Sequence, residues 1–255
     1  MTTSRFGAGD SGPGVETPGP QSFPAPAVAA EVFGERLELA AHYTQLLATD
    51  GVVRGLIGPR EAPRLWERHL LNCGVMSQLI APGASVVDVG SGAGLPGLVL
   101  AIARPDLAVT LVEPLARRTA FLTEAVADLN LGNVTVLRGR AEEVIDALPG
   151  ADVVTARAVA ALDKLAGWCL PLAAVGGRLL AMKGSSAADE IAEHAAAITA
   201  LGGGAPVIHL CGTGLIDPPT TVVEIMKERH VVPSRQRPAR STQRGDGGRK
   251  RPRRP

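Results

Sequence analysis

Aromatic residues are scarce in this 255-residue chain: four Phe, two Trp and one Tyr, with none after Trp168. A protein that stacks single-stranded bases on a row of rings needs more, so no such platform is written in the C-terminal half. Cysteine is equally thin. Cys73, Cys169 and Cys211 are odd in number and far apart, which matches neither a disulfide framework nor a zinc spacing. A reducing, cytoplasmic setting without a bound metal is expected, with Cys73 and Cys169 as buried structural thiols. Long apolar runs are missing as well. The charge-free stretch around Trp168, Leu165–Gly177, covers only 13 residues and contains Pro171, too short to span a bilayer. Residues 1–26 hold no apolar core of a signal peptide, so a soluble protein without a membrane partner is expected.

Net charge is nearly absent too, since 26 Lys and Arg oppose 25 Asp and Glu. Its distribution is uneven. Residues 227–255 hold 11 Lys and Arg against two acids, Glu228 and Asp246, a net +9 that leaves −8 for residues 1–226. The chain is an acidic body with a basic tail, which concentrates any polyanion contact at one end. Prolines and glycines interleave the tail and disfavour a helix, so contact there would be to phosphates and sensitive to salt. A solubilising appendage is the plainer alternative.

The organisation follows from composition and periodicity. Residues 1–27, with five Gly, five Pro and three charges, cannot bury enough apolar surface to offset their ordering entropy, and a disordered extension is expected. Val32, Phe33, Leu37, Ala40, Leu46 and Leu47 recur at helical spacing, and a second helix is expected from about Arg64 to Ile80. A βα alternation follows. Strands are expected at Ser85–Val89, Val109–Glu113, Val134–Arg138, Asp152–Thr155, Arg178–Lys183, Val207–Leu210 and Thr221–Lys227, the last two as an antiparallel edge hairpin. Helices such as Leu115–Leu129 and Asp189–Leu201 separate the earlier ones. This is an α/β pattern: a doubly wound, seven-stranded, mostly parallel sheet with N-terminal helices, spanning residues 28–230, with a basic tail of little fixed structure at 231–255.

The sharpest motif runs from Val86 to Gly97, Val-Val-Asp-Val-Gly-Ser-Gly-Ala-Gly-Leu-Pro-Gly. A strand enters glycines that let the backbone turn tightly against a ligand, and Pro96 suits the first turn of a helix. Gly92, Gly94 and Gly97 also spell the G-x-G-x-x-G dinucleotide fingerprint, a weak match by itself. Asp88 argues against it. A carboxylate there would repel a pyrophosphate and suit a cation, such as the ammonium of S-adenosylmethionine, directly or through water. Glu113, closing the second strand, could accept ribose hydroxyls, and Gly139-Arg140-Ala141-Glu142-Glu143 follows the third strand where an adenine would lie. S-adenosylmethionine is the expected cofactor. No Asn/Asp-Pro-Pro-aromatic run holds an exocyclic amine, and no strand-end Pro-Cys supplies a covalent nucleophile. An acceptor with a free lone pair, such as guanine N7, suits what remains.

Arg68-His69-Leu70-Leu71-Asn72, the Asp88–Gly97 loop ending Gly94-Leu95-Pro96-Gly97, Thr155-Ala156-Arg157-Ala158 and Met182-Lys183-Gly184 together resemble the glucose-inhibited division protein B family. The resemblance covers about Glu31 to Lys227. It implies a Rossmann-like, S-adenosylmethionine-dependent methyltransferase acting on guanine N7 in the 530 loop of 16S ribosomal RNA, within the small subunit or an assembly intermediate. It implies that Gly90 and Leu95 line the cofactor, that Ala141 and Glu142 meet its adenosine end, and that Arg157 contacts cofactor or target. Arg157 is therefore the candidate catalytic residue, and Asp88, Gly90, Gly92, Leu95, Glu113, Ala141, Glu142 and Arg157 are the candidate cofactor contacts. Arg68, His69, Lys183, Arg229 and Arg235 are the candidate RNA contacts, although a lone His is also readable as a core or capping residue. The family usually has Asp where Asn72 stands and often Ser where Thr155 stands. Two rival readings stay open: an NAD-dependent oxidoreductase using the same loop, and a non-catalytic RNA-binding or ribosome-assembly factor.

Overall fold

The computed structural model describes residues 23–157 and 160–231. The N-terminal extension up to residue 22, Ala158, Arg235 and the tail from residue 232 lie outside the described residues. Seven strands form one sheet: β1 (Ser85–Val89), β2 (Ala108–Glu113), β3 (Val134–Arg138), β4 (Ala151–Arg157), β5 (Ala173–Lys183), β6 (Val207–Cys211) and β7 (Thr220–Met226). Their order is β3-β2-β1-β4-β5-β7-β6. The first five are parallel, while β7 runs antiparallel between β5 and the edge strand β6. The expected closing hairpin is thus present, with its second strand inserted against the parallel set.

The helices are α1 (Ala29–Phe33), α2 (Leu37–Leu46), α3 (Asn72–Gly74), α4 (Gly97–Ala103), α5 (Ala116–Asp128), α6 (Ala141–Val144), α7 (Leu162–Cys169) and α8 (Ala187–Ala200). Strand alternation sends successive side chains to opposite faces. Val86, Val153, Leu180 and Val222 point into one core with Tyr43, Leu70, Met76, Leu98 and Phe121. Val87, Val89, Val154, Leu179 and Val223 point into a second core with Leu162, Leu165 and Ile198. So α1 to α5 cover one face and α6 to α8 the other, as a doubly wound sheet requires.

Two expectations need correction. The helix expected from Arg64 to Ile80 is not regular. It opens as a 3-10 turn at Ala62–Arg64, widens to a π-helical segment at Trp66–Leu71, and tightens again through α3 to Val75–Leu79. The changes of pitch keep Trp66, Leu70, Cys73 and Met76 buried while Arg68 stays out in solvent. The stretch expected to be disordered also reaches too far. Phe23 and Ala25 pack on the first core, and the Trp66 indole N–H donates to the Phe23 carbonyl at 2.9 Å.

Candidate active site

Parallel strands deliver their C-terminal ends to one edge of the sheet, and the order of the strands divides that edge into two cavities. Over the ends of β3, β2 and β1 lies a cavity of about 310 Å³, walled by Val89, Gly90, Val112, Pro114, Gly139, Arg140, Ala141, Glu142 and Trp168. Beside it, over the ends of β4, β5 and the start of β7, lies a wider cleft of about 730 Å³. Arg68, Asn72, Arg157, Met182, Lys183 and Thr221 are on its wall. The first is mainly apolar and glycine-floored. The second gathers three cationic side chains from separate segments of the chain.

The floor of the first cavity is the turn after β1. Gly90, at φ +69°, lets the chain leave the strand in a conformation that L side chains rarely adopt. The Gly90 and Ser91 N–H groups both donate to the Val112 carbonyl, at 2.9 and 3.2 Å, and tie the loop to β2. Glu113 holds the next residue. Its Oε2 accepts the Gly92 N–H at 2.9 Å and its Oε1 accepts the Leu115 N–H at 3.0 Å. From the other face, the buried Tyr43 hydroxyl donates to the Ala93 carbonyl at 2.5 Å. Gly94 leaves no room for a Cβ between Leu98 and that hydroxyl.

Among the expected cofactor contacts, Gly90, Ala141 and Glu142 are on the cavity wall. Asp88 and Glu113 are placed differently from expectation. Asp88 is the alternate residue to Val87 and Val89, so its side chain points through the sheet to the opposite face, where it is fully buried. Its Oδ2 accepts the Gly97 N–H at 3.1 Å, while its Oδ1 has no partner. Burial pushes this carboxyl up to about 6, only partly offset by the Gly97 hydrogen bond. Glu113 is 1% exposed, with both oxygens committed to backbone, so it braces the loop rather than facing the cavity. Gly92 and the buried Leu95 belong to the braced loop and are not on the wall. Sequence reasoning missed Trp168 and Tyr43. Trp168 was visible only as part of an apolar run, and Tyr43, within the stretch of helical spacing, carried no signal of its own.

The dinucleotide alternative fails on the same geometry. It needs free N–H groups at the start of the helix that follows the loop. Here the Gly97 N–H is capped by the chain's own Asp88 carboxylate, and Gly97 is buried against Leu111.

Of the expected RNA contacts, Arg68 and Lys183 are on the wall of the cleft, together with Arg157. Lys183 is not free: Nζ donates to Glu190 at 2.7 Å and to the Ala160 carbonyl at 2.8 Å. His69 is not on the cleft wall. It is packed behind Arg157, whose Nη1 lies 2.8 Å from its Nδ1. Burial, reinforced by Arg157, pushes its pKa down to about 4, so it is neutral near pH 7. Arg229 lies elsewhere. Because β7 is antiparallel, its start pairs with Lys183 at the cleft and its end with Arg178 at the opposite edge. Arg229, just beyond that end, donates to the Thr199 carbonyl at the close of α8. Among the described residues, no group of three or more His, Cys, Asp and Glu could hold a metal, and no helix is long and apolar enough to cross a membrane.

A seven-stranded sheet in this order, with a braced glycine turn flooring a cavity at the strand ends, defines a Rossmann-like methyltransferase. Comparison with known proteins narrows the class. The family described as GidB, rRNA small subunit methyltransferase G, matches residues 36–216, and this chain belongs to it. A Salinispora tropica protein named ribosomal RNA small subunit methyltransferase G is 64% identical over 230 residues, covering 88% of this chain and 93% of that one. A Rhodococcus jostii protein of the same name is 61% identical over 206 residues, covering 80% and 90%. Among solved structures, a variant of MtNAS superposes with a TM-score of 0.50 at 19% identity, covering 78% of this chain and 75% of that one, a likeness of fold alone.

Proposed function

We propose that this protein methylates N7 of a guanine in the 530 loop of 16S ribosomal RNA, with S-adenosylmethionine as donor. The observation that carries the reading is the pair of cavities side by side along one sheet edge, one apolar and glycine-floored, the other lined by Arg68, Arg157 and Lys183. A cavity of about 310 Å³ is at the small end of the range for ligand sites, and its walls suit the cofactor. Gly90 permits close backbone approach, Trp168 offers a ring face, and Glu142 and Arg140 offer polar groups at the far end. Bound S-adenosylmethionine supplies an electrophilic methyl group on a sulfonium.

The chain's own residues then have to orient the acceptor and shield the reaction from water. Guanine N7 carries a lone pair and needs no base to remove a proton. That agrees with a cleft whose ionisable side chains, among the described residues, are Arg68, Arg157, Lys183 and the Glu190 that pairs with Lys183. Arg68 and Arg157 can meet phosphate oxygens of the RNA and hold the target base against the neighbouring cavity, with Lys183, paired to Glu190, shaping the cleft wall beside them. Holding the two reactants in line supplies most of the acceleration in such a transfer. The domain limits are residues 28–230, extended at the front by the packed Phe23–Ala27 segment, with the basic tail as an auxiliary phosphate contact.

Nucleoside mass spectrometry tests the assignment. Small-subunit RNA from cells lacking the gene, incubated with the purified protein and cofactor, should gain N7-methylguanosine in the 530 loop. Methylation at another position would overturn the target assignment, and no methylation of either RNA or assembled subunits would overturn the activity.

A further inference from the structure

Three basic side chains near the cleft form one network: two meet the Glu61 carboxylate and the third meets one of those two. Glu61 stands at the start of the irregular helical stretch. Its Oε1 accepts a hydrogen bond from Arg68 Nη1 at 3.2 Å, and its Oε2 lies 3.3 Å from His69 Nε2. The other ring nitrogen of His69 meets Arg157 Nη1 at 2.8 Å. We propose that Glu61 and His69 are positioning residues, a polar file that fixes the Arg157 guanidinium on the wall of the RNA cleft. The proposal rests on the reading of Arg157 as the residue that contacts cofactor or target.

The polarity of the file follows from donor and acceptor inventories. A guanidinium only donates, so His69 must present a lone pair at Nδ1 and carry its proton on Nε2. That proton faces Glu61, which as a carboxylate only accepts. The Nε2 contact is an ion-pair distance without good hydrogen-bond alignment, so its pull on the ring is mainly electrostatic in this state. Donor to acceptor, the order Arg157, His69, Glu61 is consistent in one tautomer only. In the reverse tautomer Nδ1–H would face Arg157, donor against donor. The site is also built to keep that neutral form: the His69 side chain is 14% exposed, and the charge of Arg157 disfavours a second proton on the ring.

The need for such a file comes from where Arg157 sits. It closes β4, where its backbone still pairs with Met182 of β5 but the pairing with β1 has ended, and its long side chain has several rotatable bonds. Of the two arginines in this network, Arg68 meets Glu61 directly and is half-exposed, free to adjust to the RNA, whereas Arg157 is reached only through His69 and is held from behind. An arginine displaced by about an ångström from a reacting pair can cost on the order of 100-fold in rate.

Single-turnover methyl transfer by the full-length protein on small subunits lacking the mark provides the test. Cofactor affinity is followed by calorimetry with S-adenosylhomocysteine, and folding by thermal melts. His69→Leu should lower the transfer rate by about 10- to 100-fold with little change in RNA KM. His69→Asn, whose Oδ1 takes the place of Nδ1, should restore most of the rate, and Glu61→Gln should fall between. In an Arg157→Ala background His69→Leu should cost nothing further. Equal failure of the Asn and Leu variants, or the same loss from His69→Leu with and without Arg157, overturns the positioning role and leaves the reading of Arg157 standing. Wild-type transfer by Arg157→Ala overturns that reading itself, and the file with it.

Discussion

Replacing Asp88 with Asn should stabilise the unliganded protein near neutral pH, although Asp88 caps the helix that follows the glycine loop. The carboxylate is fully buried, takes one hydrogen bond from the Gly97 N–H at 3.1 Å, and leaves Oδ1 without a partner. Burial raises its pKa from the ordinary 3.8 to about 6. The folded state therefore binds a proton more tightly than the unfolded chain does across that interval. Stability from this group is greatest below about pH 4, falls as pH rises towards 6, and is flat above. The difference between those two pKa values corresponds to about 3 kcal/mol. Asn can keep the Gly97 hydrogen bond through its own Oδ1 and has no charge to desolvate. Its Nδ2 lacks an acceptor, much as the hydroxyl of protonated Asp88 does, so the two should be nearly equal in stability at low pH. Urea denaturation near pH 7.5 and near pH 4 reads the difference. Asp88→Asn should be the more stable by up to about 3 kcal/mol at the higher pH, with that gap closing at the lower. A gap that stays constant with pH, or a variant destabilised mainly at the higher pH, would refute the account of Asp88 as a buried charge held at a cost.

Other consequences can be measured directly. Glu113→Ala frees the Gly92 and Leu115 N–H groups, and should weaken S-adenosylhomocysteine binding by about tenfold in calorimetry, since two part-buried donors lose the acceptor that braces the loop. Trp168 is on the cavity wall while Trp66 is in the core, so cofactor binding should change the fluorescence of the wild type and not that of Trp168→Phe. Tyr43→Phe removes only the hydroxyl that holds the Ala93 carbonyl and should lower stability by about 1 kcal/mol in a thermal or urea melt. Truncation after Val231 removes nine Lys and Arg, and should reduce both RNA affinity and the steepness of its salt dependence while leaving S-adenosylhomocysteine binding unchanged.

Most of the sheet was legible in the chain because strand signals are local. The boundaries of β1 and β3 follow their β-branched runs to the residue, and β2, β4 and β7 differ by one or two positions. β5 begins five residues earlier than expected, since Ala173–Gly177 carries no β-branched run and its pairing starts through Ala151 and Ala173. The glycine turn was legible for the same reason: Gly90 must turn where it does whatever surrounds it. The irregular stretch from Ala62 to Leu79 was not, because its pitch is set by packing against the body and not by its own periodicity.

The sequence by itself determined the α/β alternation, the glycine loop, the acids at three strand ends and the division of charge between body and tail. All of these are properties of neighbouring residues. Tertiary structure alone decided which way those residues face. The two-residue period of a strand turns Asp88 away from the cavity that Val89 lines. The antiparallel course of β7 carries Arg229 to the edge opposite Lys183. Folding also brings His69 to Arg157 and Tyr43 to Ala93, pairs separated by 88 and 50 residues. A charge or hydroxyl is read from one position, but what it acts on depends on a partner supplied by a distant part of the chain.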